Sequence, residues 1–279
     1  MLEAVLIGVG LAGLVVGSYA DIETREIPNW LNFSLIAAGL GIRAIGALAE
    51  KNWWVFAAGI LGLVAMIAVG NLLYYSRQWG GGDTKLLIGL GALFGAMSFL
   101  PWFLLHFLIN LVVIGAVYGF LWSMYLAIRH RHRFVVAFRR IVHAHRHLLM
   151  ICIGMAVILF AVSFLLPSLM RLVVWILAGV LVMYGVMIVF VKTVEDACMF
   201  RKIRLKNITE GDWIAENVVV KGKTLYRMTD PGVSREQISL MKKCNVKRVL
   251  VKEGIPFVPS FLFAMILTLV VGNIFLVMI

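Results

Sequence analysis

Runs of about 20 apolar residues recur along almost the whole chain, and each is long enough to cross a hydrocarbon core of about 30 Å as a helix. Such a chain folds as a bundle of membrane helices. The composition agrees, since 62% hydrophobic residues against 14% charged lies outside the range of soluble domains. Eight segments carry the pattern, at approximately 2–20, 30–49, 53–75, 85–100, 102–128, 148–166, 168–192 and 257–279. Arg43 and Glu50-Lys51-Asn52 mark a return to water between the second and third. Pro101 divides the apolar stretch from Lys85 to Ile128, and Pro167 with Arg171 divides the one from Leu148 to Val191. Read as single helices these stretches would exceed about 60 Å, twice the hydrocarbon thickness.

The first segment lacks the basic start of a secretory signal, offering Glu3 instead, so it is read as a retained helix despite the small residues Ser18-Tyr19-Ala20. The three cysteines, Cys152, Cys198 and Cys244, have neither metal-binding nor disulfide spacing, and Cys152 reads as a buried apolar residue of a helix. Lys and Arg gather in cytoplasmic loops. Arg25, Arg77, Lys85, the arginines from Arg129 to Arg146 and the basic stretch from Lys192 to Lys252 all fall on one side of an eight-helix arrangement. Only Arg43, Lys51 and Arg171 fall on the other. This orientation puts both termini outside and every basic loop in the cytoplasm.

Two acids stand out against that background. Asp21 ends the first segment in 19-YADIETREIPNW-30, and Asp83 opens the fourth in 80-GGGDTKLLIGLGALFG-95. Ionisable groups at the edge of lipid are costly and mark functional sites. Odd and even helices run in opposite directions, so the end of the first and the start of the fourth reach the same, cytoplasmic face. Two carboxylates held close cannot both ionise, so one keeps a proton near neutral pH. The ionised partner can then take a proton from water while the protonated one polarises a peptide carbonyl. Gly80, Gly81 and Gly82 would let a substrate backbone approach Asp83 and would permit positive φ.

The stretch from Asp21 through Arg25 to Ile27-Pro28-Asn29 resembles the first signature of the type IV prepilin peptidases. Gly80-Gly81-Gly82-Asp83 with Lys85-Leu86-Leu87 resembles their second, the G-x-G-D loop. The resemblance implies a membrane aspartyl endopeptidase with Asp21 and Asp83 catalytic, cutting the short basic leader from pilin-like or archaellin-like precursors at the cytoplasmic membrane face. The polar insert followed by 252-KEGIPFVPSFLFAMI-266 is similar to the archaeal, preflagellin-processing branch. The zinc domain of the bacterial branch has no counterpart here, so methyl transfer is not expected. Neither a cofactor nor a nucleic acid is implied; the expected partners are the precursors and the bilayer. The presenilin-like branch shares G-x-G-D, but Ala20 precedes Asp21 where a Tyr would stand, and no Pro-Ala-Leu is present. The alternative from another class is a transporter or channel using Asp21 and Asp83 as ion or proton sites, for which internal repeat symmetry would speak. None is visible.

The expected organisation is a catalytic membrane core at 1–128, a His/Arg-rich cytoplasmic loop at 129–147, two further helices at 148–192, a small α+β cytoplasmic insert at 193–256 and a last helix at 257–279. In the insert, 201–206, 213–220 and 246–251 read as strands, and Ser234 with Gln237 opens a helix as a capping box. Glu23 and Glu26 are candidates for holding the basic leader, and Arg25 and Lys85 for tuning the acids. His130, His132, His143, His145 and His147, interleaved with arginines, read as a basic surface for anionic headgroups rather than a metal site. His106 and Asn110, one turn apart, are expected to satisfy each other or a neighbouring helix. Nothing fixes Cys198 beside a histidine as a thiol protease would require.

Overall fold

The computed structural model describes residues 1–274 except 77, 96, 98–101, 221 and 231. Arg77 and Pro101, the ends of the segments expected at 85–100 and 257–279, and the last five residues therefore lie outside the described part. The elements are α1 (Leu2–Thr24), α2 (Asn29–Ala49), α3 (Trp54–Tyr75), α4 (Gly81–Phe94), α5 (Phe103–Arg129), α6 (Arg131–Ala144), α7 (Arg146–Ser163) and α8 (Ser168–Val194), then a π-helical turn (Glu195–Met199). The polar insert contributes β1 (Phe200–Arg204), β2 (Val218–Val220), β3 (Lys223–Tyr226), α9 (Arg235–Lys243) and β4 (Arg248–Lys252), and α10 (Val258–Val271) follows. Six helices among the described residues, α1, α2, α3, α5, α7 and α8, are long and apolar enough to cross a membrane. The chain is an all-α polytopic membrane protein with a small insert of mixed structure. Of the eight expected spans, α4 and α10 are shorter, at 14 residues each.

Two compact units divide the chain: residues 1–120 with 202–279, and residues 121–201. In the first unit, α4 is largely buried beyond Lys85, with Leu86, Leu87, Leu90 and Leu93 fully enclosed. Close approach of backbones makes this possible. A Cβ on Gly62 of α3 would overlap the Gly91 carbonyl of α4, and one on Gly91 would overlap that of Gly62. Small residues at helix contacts are the usual means of tight packing in lipid, where no hydrophobic force draws helices together. At 1.5 Å per residue α4 is only about 21 Å long, so its C-terminal carbonyls end inside the protein.

Arg43 meets that end. Its Nε and Nη2 donate to the Leu93 carbonyl at 3.1 and 2.8 Å, and its Nη1 donates to the Val55 carbonyl at 3.1 Å. The side chain is 2% exposed and lies inside α2. Arg43 thus does not mark a return to water, as its charge suggested. A cation is favoured at the negative end of a helix, where the last carbonyls have no partner of their own.

Asn110 of α5 likewise serves a helix end, donating to the Thr268 hydroxyl (2.9 Å) and the Gly272 carbonyl (2.6 Å) while its Oδ1 accepts the Ile274 N–H (3.1 Å). It is therefore satisfied by α10 rather than by His106. The insert has its own cluster of buried residues, among them Leu205, Ile214, Tyr226, Met241 and Val249. Its four strands form two pairs, β1 with β4 and β2 with β3. Ser234 caps α9 in the expected box, its hydroxyl accepting the Gln237 N–H while Gln237 Oε1 accepts the Ser234 N–H.

In the second unit, α7 and α8 pack together where Cys152, buried as expected, meets Gly185, and Trp175 Nε1 donates to Ser163 Oγ at 2.8 Å. Pro167 caps the start of α8. The stretch expected as a basic loop is instead the helix α6. Phe134, Ala137, Phe138 and Ile141 fall at i, i+3, i+4 and i+7, a helical stripe that the surrounding charge obscured. Phe134 packs on Phe190 of α8, and Arg140 pairs with Asp196.

Candidate active site

Asp21 lies in the last turn of α1 because the helix ends just beyond it. Arg25 takes the left-handed conformation (φ 62°), and its N–H closes the turn on the Asp21 carbonyl at 3.0 Å. Ile27 and Pro28 then lead into α2, with Pro28 at its N-cap. Asp21 is 6% exposed, and its Oδ2 accepts the Val258 N–H at 2.9 Å.

Asp83 sits in the first turn of α4, where the positive end of the helix dipole suits a carboxylate. Its side chain turns back toward Gly80, the N-cap residue, where a Cβ would lie 3.4 Å from Asp83 Oδ2. The three glycines do not take positive φ, contrary to expectation: Gly80 is extended (φ −73°, ψ 161°), and Gly81 and Gly82 belong to α4. The helix starts earlier than the apolar pattern suggested. What Gly82 provides is room, because a Cβ there would lie 3.3 Å from Ile27 of the first motif. Lys85 Nζ also reaches that motif, donating to Asn29 Oδ1 at 2.9 Å.

Both acids line a single cavity of about 730 Å³, within the roughly 300–1,000 Å³ usual for ligand sites. Gly80, Gly81, Gly82, Arg25, Glu26 and Lys85 line it as well. The two acids thus face one space from two different helices. Glu23 is not among the lining residues and lies beside the Tyr19 hydroxyl instead. Among the described residues, no three His, Cys, Asp or Glu side chains converge in a metal-holding arrangement.

Several lining residues escaped the sequence reading. Asn71 and Tyr74 come from α3, and Thr209, Glu210, Gly211, Asp212 and Arg235 come from the insert. Thr209 Oγ1 donates to Glu26 Oε1 at 2.8 Å, and Arg235 pairs with Glu210 at 2.7 Å. Burial pushes the Asp212 carboxyl up from the usual range, against the Thr209 amide that donates to it at 2.9 Å. The charge of Glu26 adds to the rise. A turn opening 208-ITEGD-212 between a short helix and a strand carries no mark of proximity to a residue 183 positions earlier.

Part of the chain is similar to known proteins. Residues 8–128, which carry both aspartates, match the type IV leader peptidase family. The prepilin peptidase EppA of Methanothermobacter thermautotrophicus is 31% identical over 93 residues, covering 33% of this chain and 24% of that one. The preflagellin peptidase of Methanococcus voltae is 28% identical over 123 residues, covering 39% and 52%. That of Methanococcus maripaludis is 32% identical over 85 residues, covering 30% and 36%. The chain thus spans between about a quarter and a half of the length of these relatives. No solved structure matches it. The likeness to the type IV leader peptidase family thus lies in residues 8–128.

Proposed function

We propose that this chain is a membrane aspartyl endopeptidase that removes the short basic leader from pilin-like or archaellin-like precursors at the cytoplasmic membrane face. The observation that carries the reading is the convergence of Asp21 and Asp83, from two separate motifs, on one cavity at the ends of membrane helices. The names of the relatives, prepilin and preflagellin peptidases, support the substrate class.

The chemistry follows from the pair. One carboxylate takes a proton from a water molecule, and the oxygen of that water attacks the carbonyl carbon of the scissile peptide. The other gives its proton to the carbonyl oxygen, so charge does not build up in a poorly solvated site. The tetrahedral diol then collapses: the C–N bond breaks, the leaving amine gains the proton first taken from water, and the diol returns its hydroxyl proton to the second acid. No covalent intermediate forms, and no methyl transfer is proposed. A precursor with a basic leader joined to an apolar helix places its scissile bond at the headgroup level, leaving the leader beside Glu26 and the acids of the insert loop.

The test is co-expression with pilin-like precursors from the same genome, with cleavage read as a mobility shift. Asp21→Asn and Asp83→Asn are each expected to lower the rate by at least about 10²-fold while the protein remains inserted, since an amide cannot exchange the shared proton. Near-parental cleavage by either variant would overturn the aspartyl mechanism. Proton or cation flux without cleavage would favour a transporter.

A further inference from the structure

Asp21 and Asp83 belong to different helices, and a third element touches the approaches to both. The Val258 N–H that opens α10 donates to Asp21 Oδ2 at 2.9 Å in a buried position. The first N–H groups of a helix have no partner within it, so this one can serve a side chain at no cost to the helix. The same turn reaches the second motif through aromatic contacts. Trp79, immediately before the glycine loop, lies 5.8 Å from the Phe257 ring and 5.2 Å from the Phe261 ring, centroid to centroid. Phe257 and Phe261 pack edge to face at 5.9 Å, and Gly115 of α5 leaves the space that the Phe257 ring fills.

We propose that the first turn of α10, Phe257 to Phe261, is the positioning element of the catalytic pair, with the Val258 amide setting the orientation of Asp21 and the tilted ring contacts of Trp79 setting the loop that carries Asp83. The inference rests on the aspartyl reading above. Val258 is a positioning residue; its side chain packs against Gly17 of α1 and takes no part in the chemistry. A hydrogen bond donated to a carboxylate favours its charged form, so the amide also helps set the pH at which the pair as a unit gains its second proton.

The decisive variants separate the amide from the side chain. Val258→Ala keeps the N–H, and its expected kcat/KM lies within about threefold of the parent with an unchanged pH profile. Val258→Pro removes the N–H. The α-hydroxy analogue of valine, placed at 258 by nonsense suppression, removes it while keeping the side chain. Both are expected to lose roughly 10- to 100-fold in kcat, the worth of a hydrogen bond to a charged group, with KM little changed. In both, the acid limb of the pH profile moves up by about one unit. Should Val258→Pro fail to fold, the ester variant decides. An ester variant with parental kcat and an unmoved acid limb overturns the proposal.

Asp21→Asn and Asp83→Asn are assayed beside these variants. Activity in either brings down the aspartyl reading itself; inactivity in both, with an unaffected ester variant, brings down only the positioning role. Trp79→Leu, which removes the ring contacts but not the amide, is expected to lower kcat at an unchanged acid limb, and parental kcat would overturn the link to the glycine loop.

Discussion

Gly82 lacks a side chain where Ile27 occupies the space one would need, so two short sequence motifs are joined by a fit of backbone against an isoleucine. A valine there adds a branched group against the Ile27 Cβ and Cδ1, each 3.3 Å from the position of a Cβ alone. The first motif would be pushed off the second and Asp21 shifted relative to Asp83. Glu26 stands differently: it is exposed, accepts one hydroxyl and is offered to the leader as a charge. An exposed ion pair is worth only about 0–1 kcal/mol. Gly82→Val is accordingly expected to abolish nearly all cleavage, and Glu23→Gln with Glu26→Gln to slow it several-fold, measured as rates at matched expression. The opposite ranking would mean that leader charge, rather than the seam between the motifs, controls turnover.

The loop from Ile208 to Trp213 links the insert to the cavity, and Asp212 is expected to make its order depend on pH. Its folded-state pKa is raised from 3.8, chiefly by burial, so the folded loop prefers the protonated acid. The contribution is fully present below the unfolded value and is lost as pH rises through the raised one. Hydrogen exchange at Gly211 and Val233, whose amides close this turn on the Val233 and Asp212 carbonyls at 2.9 Å each, reads the effect. After correction for intrinsic rates, protection should be greater in mild acid than at neutral pH, and Asp212→Asn should remove the difference. Protection that rises with pH would reverse the assigned sign.

Elements with a local signature were legible in the sequence: Ser234 and Gln237 announce α9, and Asp21 and Asp83 stand out because acids are scarce in apolar blocks. Helix α6 was missed because its arginines and histidines outweigh a four-residue stripe. The Arg43 cap was missed because charge alone does not tell a helix end from water. The Val258 amide could not be read at all, since a backbone N–H is the same at every non-proline residue.

At the scale of the whole molecule, the first compact unit is assembled from both ends of the chain, with residues 121–201 intervening in sequence. The proposed orientation is testable by cysteine labelling in a background lacking Cys152, Cys198 and Cys244. Glu23→Cys and Gln78→Cys should react from the cytoplasm and Asn52→Cys from outside, and labelling of position 78 from outside alone would separate the acids from the cytoplasmic face. The bond between Val258 and Asp21 also carries a consequence for synthesis. Its partners are 237 residues apart, so both aspartates have left the ribosome long before the amide that orients one of them exists. A partly translated chain, already threaded into the bilayer with its pair of acids, would on the proposed reading be a weakened enzyme. Full competence would then await α10, and neighbouring membrane proteins would meet only a slow enzyme during its manufacture.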